Sequence, residues 1–460
     1  MFDKDFVMIK SVDSKNVKKE IEALSFCVFD LETTGGNHDK DKIIEIGLVK
    51  IENLKIVDEK HYLIQPEIKI PDFIQKLTQI GPKEVEHAKL IENVIDEILN
   101  FMGNSVLVAH NTSFDIPFFN SVLKRLGKKE LVNKSLCTNL MTKHLIPNLL
   151  NSNLNYMSKI FGIKHKQAHR ALDDAKATAE LLINYINIFL DKGITKINHL
   201  YYPRNKYELD LINIKSTDKK TKLTKSLQSF NSPFLITFKG DNGIILLALP
   251  CIHTENEIKF IKEYASKLPW KTISIKLYGS LLECLVHLNN HFTKIENNLR
   301  NEISNFLWKE HLSSYKVPDN SITGKEDTLD KNMLEVSGRD IGDFVIINHL
   351  VPEQYIVYPI LSLHQKSCLI FRYPAHQKKL IQFLRSRSAK MQAGKIKKTP
   401  FAPQLRKFLT HYIINLKETN DHALIFTKKQ IQKNESEFLE MAKKFCDDSV
   451  RKYNYPREYV

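Results

Sequence analysis

Residues 26–34 read FCVFDLETT, an apolar run that ends by presenting two carboxylates two positions apart. In a β-strand alternate side chains share a face, so Asp30 and Glu32 project together. Two adjacent acids repel, and burying them is costly unless cations neutralise them. Hard divalent ions such as Mg2+ take carboxylate oxygens and keep some of their waters. The pair is therefore either the start of a metal site or an acidic turn after an edge strand. What decides is whether the chain brings further acids to it.

It offers two more sets. Residues 106–115 (VLVAHNTSFD) form a second β-like run leading through a polar turn to Asp115, and residues 168–175 (AHRALDDA) open a stretch with Ala171, Ala175, Ala179 and Leu182 at helical spacing. The segments DLETTG, HNxxFD and HRALDD, in this order, resemble the three motifs of the DnaQ-like (DEDDh) 3′–5′ exonucleases, and LTQIG at 77–81 is similar to a segment between the first two. The resemblance covers residues 21–190 and implies a ribonuclease H-like α/β fold, a mixed sheet flanked by helices.

It also implies a two-metal phosphodiesterase. Asp30 would bridge two Mg2+ (or Mn2+) ions, Glu32 and Asp174 would bind the one that activates water, and Asp115 would help hold the second. Such a pair stabilises the attacking and leaving oxygens of a displacement at phosphorus. His169 would be the general base, since an imidazole titrates near neutral pH. Asp173 is a rival to Asp174 but points about 100° away around a helix, and a first-turn acid also stabilises a helix N-terminus without binding anything. His165 and His110 are alternative bases with structural readings of their own. Glu45, an acid inside the apolar run IIEIG, either supports the site or is a satisfied polar residue. For substrate, the backbone N–H groups at Thr33 and Thr34 could meet the terminal nucleotide, Asn111 and Phe114 flank Asp115, and Leu77 and Thr78 could wedge against terminal bases.

A chain of 460 residues exceeds the usual single-domain size. The expected division is a leader (1–20), the exonuclease-like domain (21–190), a linker (191–229), a middle domain (230–316) and a basic C-terminal α/β domain (333–460). The N-terminus lacks a basic segment followed by an apolar one, six scattered cysteines form no C-x-x-C pair, and no window is apolar enough to span a membrane. These features fit a cytoplasmic protein without a membrane partner.

The charge is unevenly placed. Residues 1–190 carry equal numbers of acids and bases, so the whole formal charge of +15 lies in 191–460. Such a surplus suits phosphate attraction outside the active site; a general lysine bias is the plainer reading. Residues 376–407 hold ten Lys and Arg and no acid, among them Lys378, Lys379, Arg385, Arg387, Lys395, Lys397 and Lys398, with Phe383, Phe401 and Phe408 interspersed as stacking candidates. In the middle domain, GSLLECL at 279–285 and Asn298-Leu299-Arg300 resemble the late helix of the GIY-YIG module of UvrC-type nucleases, with Glu283 at the metal-binding position. That module's tyrosine strands and catalytic Arg have no counterpart here, so the resemblance implies a degenerate module, and an unrelated α/β insert is the alternative.

The function expected is removal of nucleotides from single-stranded or frayed DNA 3′ ends as nucleoside 5′-monophosphates, in proofreading or repair, with a DNA polymerase or repair complex as a partner. RNA trimming is the alternative within the same chemistry, and a non-catalytic nucleic-acid-binding scaffold the alternative outside it.

Overall fold

The computed structural model describes residues 21–146, 148–192, 194–197, 200, 210–218, 221–228, 232–313, 341–397, 399–419 and 422–448. The leader 1–20, the polar stretch 317–332 and Lys398 lie outside the described residues. The chain divides into two compact units near residue 209.

The first unit is built on a five-stranded sheet: β1 (Phe26–Thr33), β2 (Ile43–Glu52), β3 (Lys55–Leu63), β4 (Val106–Ala109) and β5 (Ser135–Cys137), in the order β3-β2-β1-β4-β5. β1 runs antiparallel to β2 and parallel to β4, making the sheet mixed as the ribonuclease H-like fold requires. Four helices place the site: α1 (Asp72–Thr78), α2 (Thr112–Arg125), α3 (Leu154–Phe161) and α4 (Ala171–Asp191). β1 is central and buried on both faces through Phe29, which is why its apolar run is unbroken before the acids. One face carries Phe29 and Leu31 against Phe118, Phe119 and Val122 of α2.

The other face receives α4, whose Ala171, Ala175 and Ala179 are fully buried. Small residues let the helix lie close to the strands, and Gly47 marks the closest approach. A Cβ on Gly47 would fall 2.3 Å from the Ala171 carbonyl carbon. The β1–β2 register sets Asp30 opposite Gly47 and Glu32 opposite Glu45. Directly opposed residues share a face, so α4 begins over the acids.

The second unit holds two four-stranded antiparallel sheets. One contains β6 (Leu211–Lys215), β7 (Phe234–Lys239), β8 (Ile245–Cys251) and β9 (Thr272–Leu277) in the order β6-β9-β7-β8. The other contains β10 (Phe344–Asn348), β11 (Gln354–Pro359), β12 (Leu369–Arg372) and β13 (Ala423–Phe426) in the order β12-β11-β10-β13. One apolar cluster joins them, from Ile236 and Ile275 in the first sheet to Val345 and Tyr358 in the second and Phe408 beside them.

Two sequence expectations change here. The stretch 191–229, read as linker from its polarity, is folded where described: Thr195 O accepts the Ile21 N–H in the first unit, β6 pairs with β9, and α5 (Thr221–Gln228) seats Leu223 and Leu227 in the core. β6 alternates inward and outward residues, and a half-exposed strand of that kind looks polar in sequence. Residues 230–316 and 333–460 were expected as separate domains, but where described they share the one core. Gly279 sits at their junction, where a Cβ would meet the Asn348 carbonyl oxygen at 2.2 Å.

Candidate active site

Asp30 and Glu32 leave β1 on the α4 face, Asp115 rises from the first turn of α2, and Asp174 comes from the first turn of α4. The ligating atoms of Glu32, His169 and Asp174 lie within 4.8 Å of one another. Asp173, the rival, is not in that group and instead acts on Arg170. His169 is exposed and takes a left-handed backbone, φ 62°, just before the helix.

The acids are mutually destabilising. Burial pushes Asp30 well above the ordinary carboxylate range, and Asp115, Asp174, Glu32 and Glu45 push it further. Glu32 is raised to about 8 by burial, then by Asp174, Glu45 and Asp115. Asp115 is raised to about 7 by burial, although its own N–H and that of Leu31 hydrogen-bond its carboxylate. Like charges gathered in a half-buried cleft need neutralisation. The donor set, all oxygen with one imidazole at hand, fits hard divalent cations.

Glu45 behaves in the opposite way. Burial raises it, but hydrogen bonds from His61, Arg170 and the Ala171 N–H outweigh that and hold it below the usual range. Arg170 Nη2 lies 2.7 Å and His61 Nε2 2.6 Å from Oε1, while the Ala171 N–H donates to Oε2 at 2.8 Å. A strand carboxylate thus caps α4, satisfying a terminal N–H that its own N-cap side chain leaves open. An acid in an apolar run signalled that a partner was needed; nothing in the sequence named His61 or Arg170 as the partners.

The other histidines separate. His110 bridges Thr138 Oγ1 (2.9 Å) and Ser152 O (2.8 Å), a structural role with both nitrogens used. His165 places Nε2 2.5 Å from Asp174 Oδ1.

The substrate residues are only partly as expected. Thr34 donates its backbone N–H to Lys42 O at 2.8 Å and its hydroxyl to Asp41 at 3.1 Å, so that N–H is closed to a nucleotide. The Thr33 hydroxyl closes the same turn onto Gly35 O at 2.7 Å. Thr78 is buried and back-bonded to Ile74 O at 2.9 Å, which removes it as a wedge. Leu77 does stand out, 45% exposed, one turn from Phe73 at 64%. Gln79 Oε1 accepts from Gln167 Nε2 at 2.9 Å, tying the end of α1 to the His169 loop. Phe73 and this tie were not anticipated. Asn111 is exposed at the start of α2 and accepts from the Ser113 hydroxyl at 2.8 Å. Phe114 is half-buried, its ring 5.6 Å from that of Phe118.

In the second unit, α7 (Gln377–Gln392) turns Lys378, Lys379, Arg385 and Lys390 outward, opposite buried Leu380, Ile381 and Leu384. Arg385 is paired with Glu435 at 2.5 Å, and Arg387 is half-buried over the Phe383 ring. Lys378, Lys379, Lys390, Lys395 and Lys397 are exposed and make no ion pair among the described residues. Phe401 and Phe408 are core residues and cannot stack on bases. Glu283 lies in the first turn of α6 (Leu281–Phe292), where burial raises it to about 8 while its carboxylate accepts the Gly279 N–H at 3.1 Å.

Residues 27–182 match the exonuclease family. The chain is 41% identical over 186 residues to the DNA polymerase III PolC-type protein of Caldanaerobacter subterraneus subsp. tengcongensis, a match that covers 40% of this chain and 13% of that protein. It is 33% identical over 190 residues to the 3′-5′ exonuclease DinG of Staphylococcus aureus, covering 41% and 21%. The chain thus spans a small part of the length of these curated relatives. A solved structure of Exonuclease X in complex with 5′ overhanging duplex DNA is 28% identical, covering 35% of this chain and 91% of that one with a TM-score of 0.30. No helix among the described residues is long and apolar enough to cross a membrane.

Proposed function

We propose that this chain is a divalent-metal-dependent 3′–5′ exonuclease that shortens DNA from its 3′ end and releases nucleoside 5′-monophosphates, acting in proofreading or repair alongside a polymerase or repair complex. The observation that carries it is the gathering of Asp30, Glu32, Asp115 and Asp174 with His169 at one end of β1. The four carboxylates would hold two Mg2+ or Mn2+ ions. Bound there, the cations supply charge stabilisation at the phosphoryl oxygens and lower the pKa of water.

The chain's own residues do the remainder. His169, with its exposed ring, takes the proton from the attacking water. Glu45 and Arg170 fix the start of α4 and so the placement of both His169 and Asp174. Leu77 and Phe73 offer an apolar ridge to the terminal bases, contact that is tolerant of sequence. The exposed lysines at 378, 379, 390, 395 and 397 would add phosphate contacts that do not depend on sequence.

The test uses the purified chain with 5′-labelled single-stranded DNA, matched RNA and blunt duplex, in Mg2+, Mn2+ or EDTA, with Asp174→Ala as control. A ladder shortening from the 3′ end, absent in EDTA and in the variant, is expected, with DNA preferred over RNA. Binding without shortening would make the chain a nucleic-acid-binding scaffold instead.

A further inference from the structure

Residues 162–170 deliver both His169 and the first turn of α4. The loop is fixed at each end. Gly162 closes α3 in a left-handed conformation, φ 66°, and the Ile163 N–H returns to Ser158 O at 2.8 Å. At the other end Arg170 and Ala171 are held by Glu45. Between these anchors lies His165, its side chain 5% exposed and its Nε2 2.5 Å from Asp174 Oδ1. Its Nδ1 is buried and finds no hydrogen-bond partner among the described residues. His110, by contrast, has both nitrogens met, by Thr138 and Ser152. Among the described residues His165 makes one hydrogen bond, and its partner is Asp174.

We propose that His165 is a positioning residue for Asp174. Its Nε2–H donates to Oδ1 and fixes the carboxylate, leaving Oδ2 to a divalent cation. The proposal rests on the reading of the four acids as a cation site. It separates the two histidines of the loop: the exposed ring of His169 faces the reaction, and the buried ring of His165 orients a ligand. Partners of metal-binding groups that act in this way change metal affinity by roughly 10–100-fold.

Mn2+ binding to the full chain, followed by the loss of the free-ion EPR signal, tests this in wild type, His165→Ala, His165→Gln and Asp174→Ala, with melting temperatures taken in EDTA. In His165→Ala the tightest Mn2+ is expected to weaken about tenfold or more. The Mn2+ concentration for half-maximal shortening of single-stranded DNA should rise in parallel, with kcat at saturating Mn2+ little changed. His165→Gln, whose amide donates, should recover part of the affinity. Unchanged Mn2+ affinity in His165→Ala, or a tighter one because imidazole and cation compete, overturns the proposal. So does a loss without recovery in His165→Gln that follows the EDTA melting temperature. Wild type that binds no Mn2+, or Asp174→Ala that binds it as well as wild type, removes the cation site itself and the proposal with it.

Discussion

Both units bury carboxylates, and the company those acids keep differs. In the second unit each has its own donor. Glu257 accepts the Ile252 and Thr254 N–H groups at 2.8–3.0 Å, Asp210 meets Lys276 at 2.8 Å, and Glu283 takes the Gly279 N–H. In the first unit Asp30, Glu32, Asp115 and Asp174 face one another: Asp115 and Asp174 raise both Asp30 and Glu32, and Glu32 raises Asp30 further. Glu283 and Glu32 reach the same value, about 8, by different routes. Burial dominates both, but Glu32 then adds three acids against one arginine, whereas Glu283 has a backbone donor and the Asp210–Lys276 pair nearby. A raised carboxylate is thus no mark of chemistry by itself; a raised carboxylate among others is.

The sharpest way to break the contrast is Asp30→Asn. It should cut exonuclease turnover roughly a thousandfold or more, because cation-borne charge stabilisation is worth several kcal/mol. The melting temperature in EDTA should hold or rise, since a repelling acid has gone. Near-normal activity in Mg2+ would end the metal assignment. Next in size is Glu45→Gln, which leaves Arg170 and the Ala171 N–H without a carboxylate. It should cost about 1.5–3 kcal/mol, the range for hydrogen bonds to charged groups, read as a lower midpoint in urea, and should lower turnover through a displaced α4.

A pH series sharpens the contrast further. Glu32 titrates near 4.5 unfolded and about 8 folded, so its contribution favours folding at low pH and is lost as pH rises through 8. The metal-free protein should therefore lose stability between about pH 5 and 8 relative to Glu32→Gln, and Mg2+ should erase the difference. Identical pH profiles with and without Mg2+ would contradict it. Glu45, lowered in the folded state, works in reverse: its contribution is present above its unfolded value and fades as pH falls through the folded one.

Smaller effects are expected in the second unit. Replacing Lys378, Lys379 and Lys390 with Glu should reduce the salt dependence of single-stranded DNA binding by a slope of about 2, near 0.7 for each phosphate no longer neutralised. An unchanged slope would make this face merely solvated. Glu283→Gln should leave nuclease activity within twofold, and a large loss would give the second unit chemistry of its own.

The sequence made the site largely readable because its chemistry is local. Asp30 and Glu32 share a face by strand periodicity, and Asp174 and His169 sit at one helix start. What escaped depends on contacts between distant segments. The His165–Asp174 contact crosses a loop with no period, and the Thr34 N–H is taken by Lys42 across a turn. Phe401 and Phe408 among lysines resemble stacking residues, yet Phe408 belongs to the inner stripe of the amphipathic helix Pro403–Thr419 and Phe401 is buried just before it. β6 was missed because an edge strand with one wet face has the composition of a linker.

The contact between Gly47 and Ala171 gives the first unit a point at which the site could be disarmed without altering any of its acids. Hydrogen is the only substituent that fits at position 47, so a single methyl group there would lever the helix start, and Asp174 with it, away from Asp30. Such a variant would keep every motif intact and read as competent by sequence while being silent in the tube. Competence here hangs on an atom that is missing.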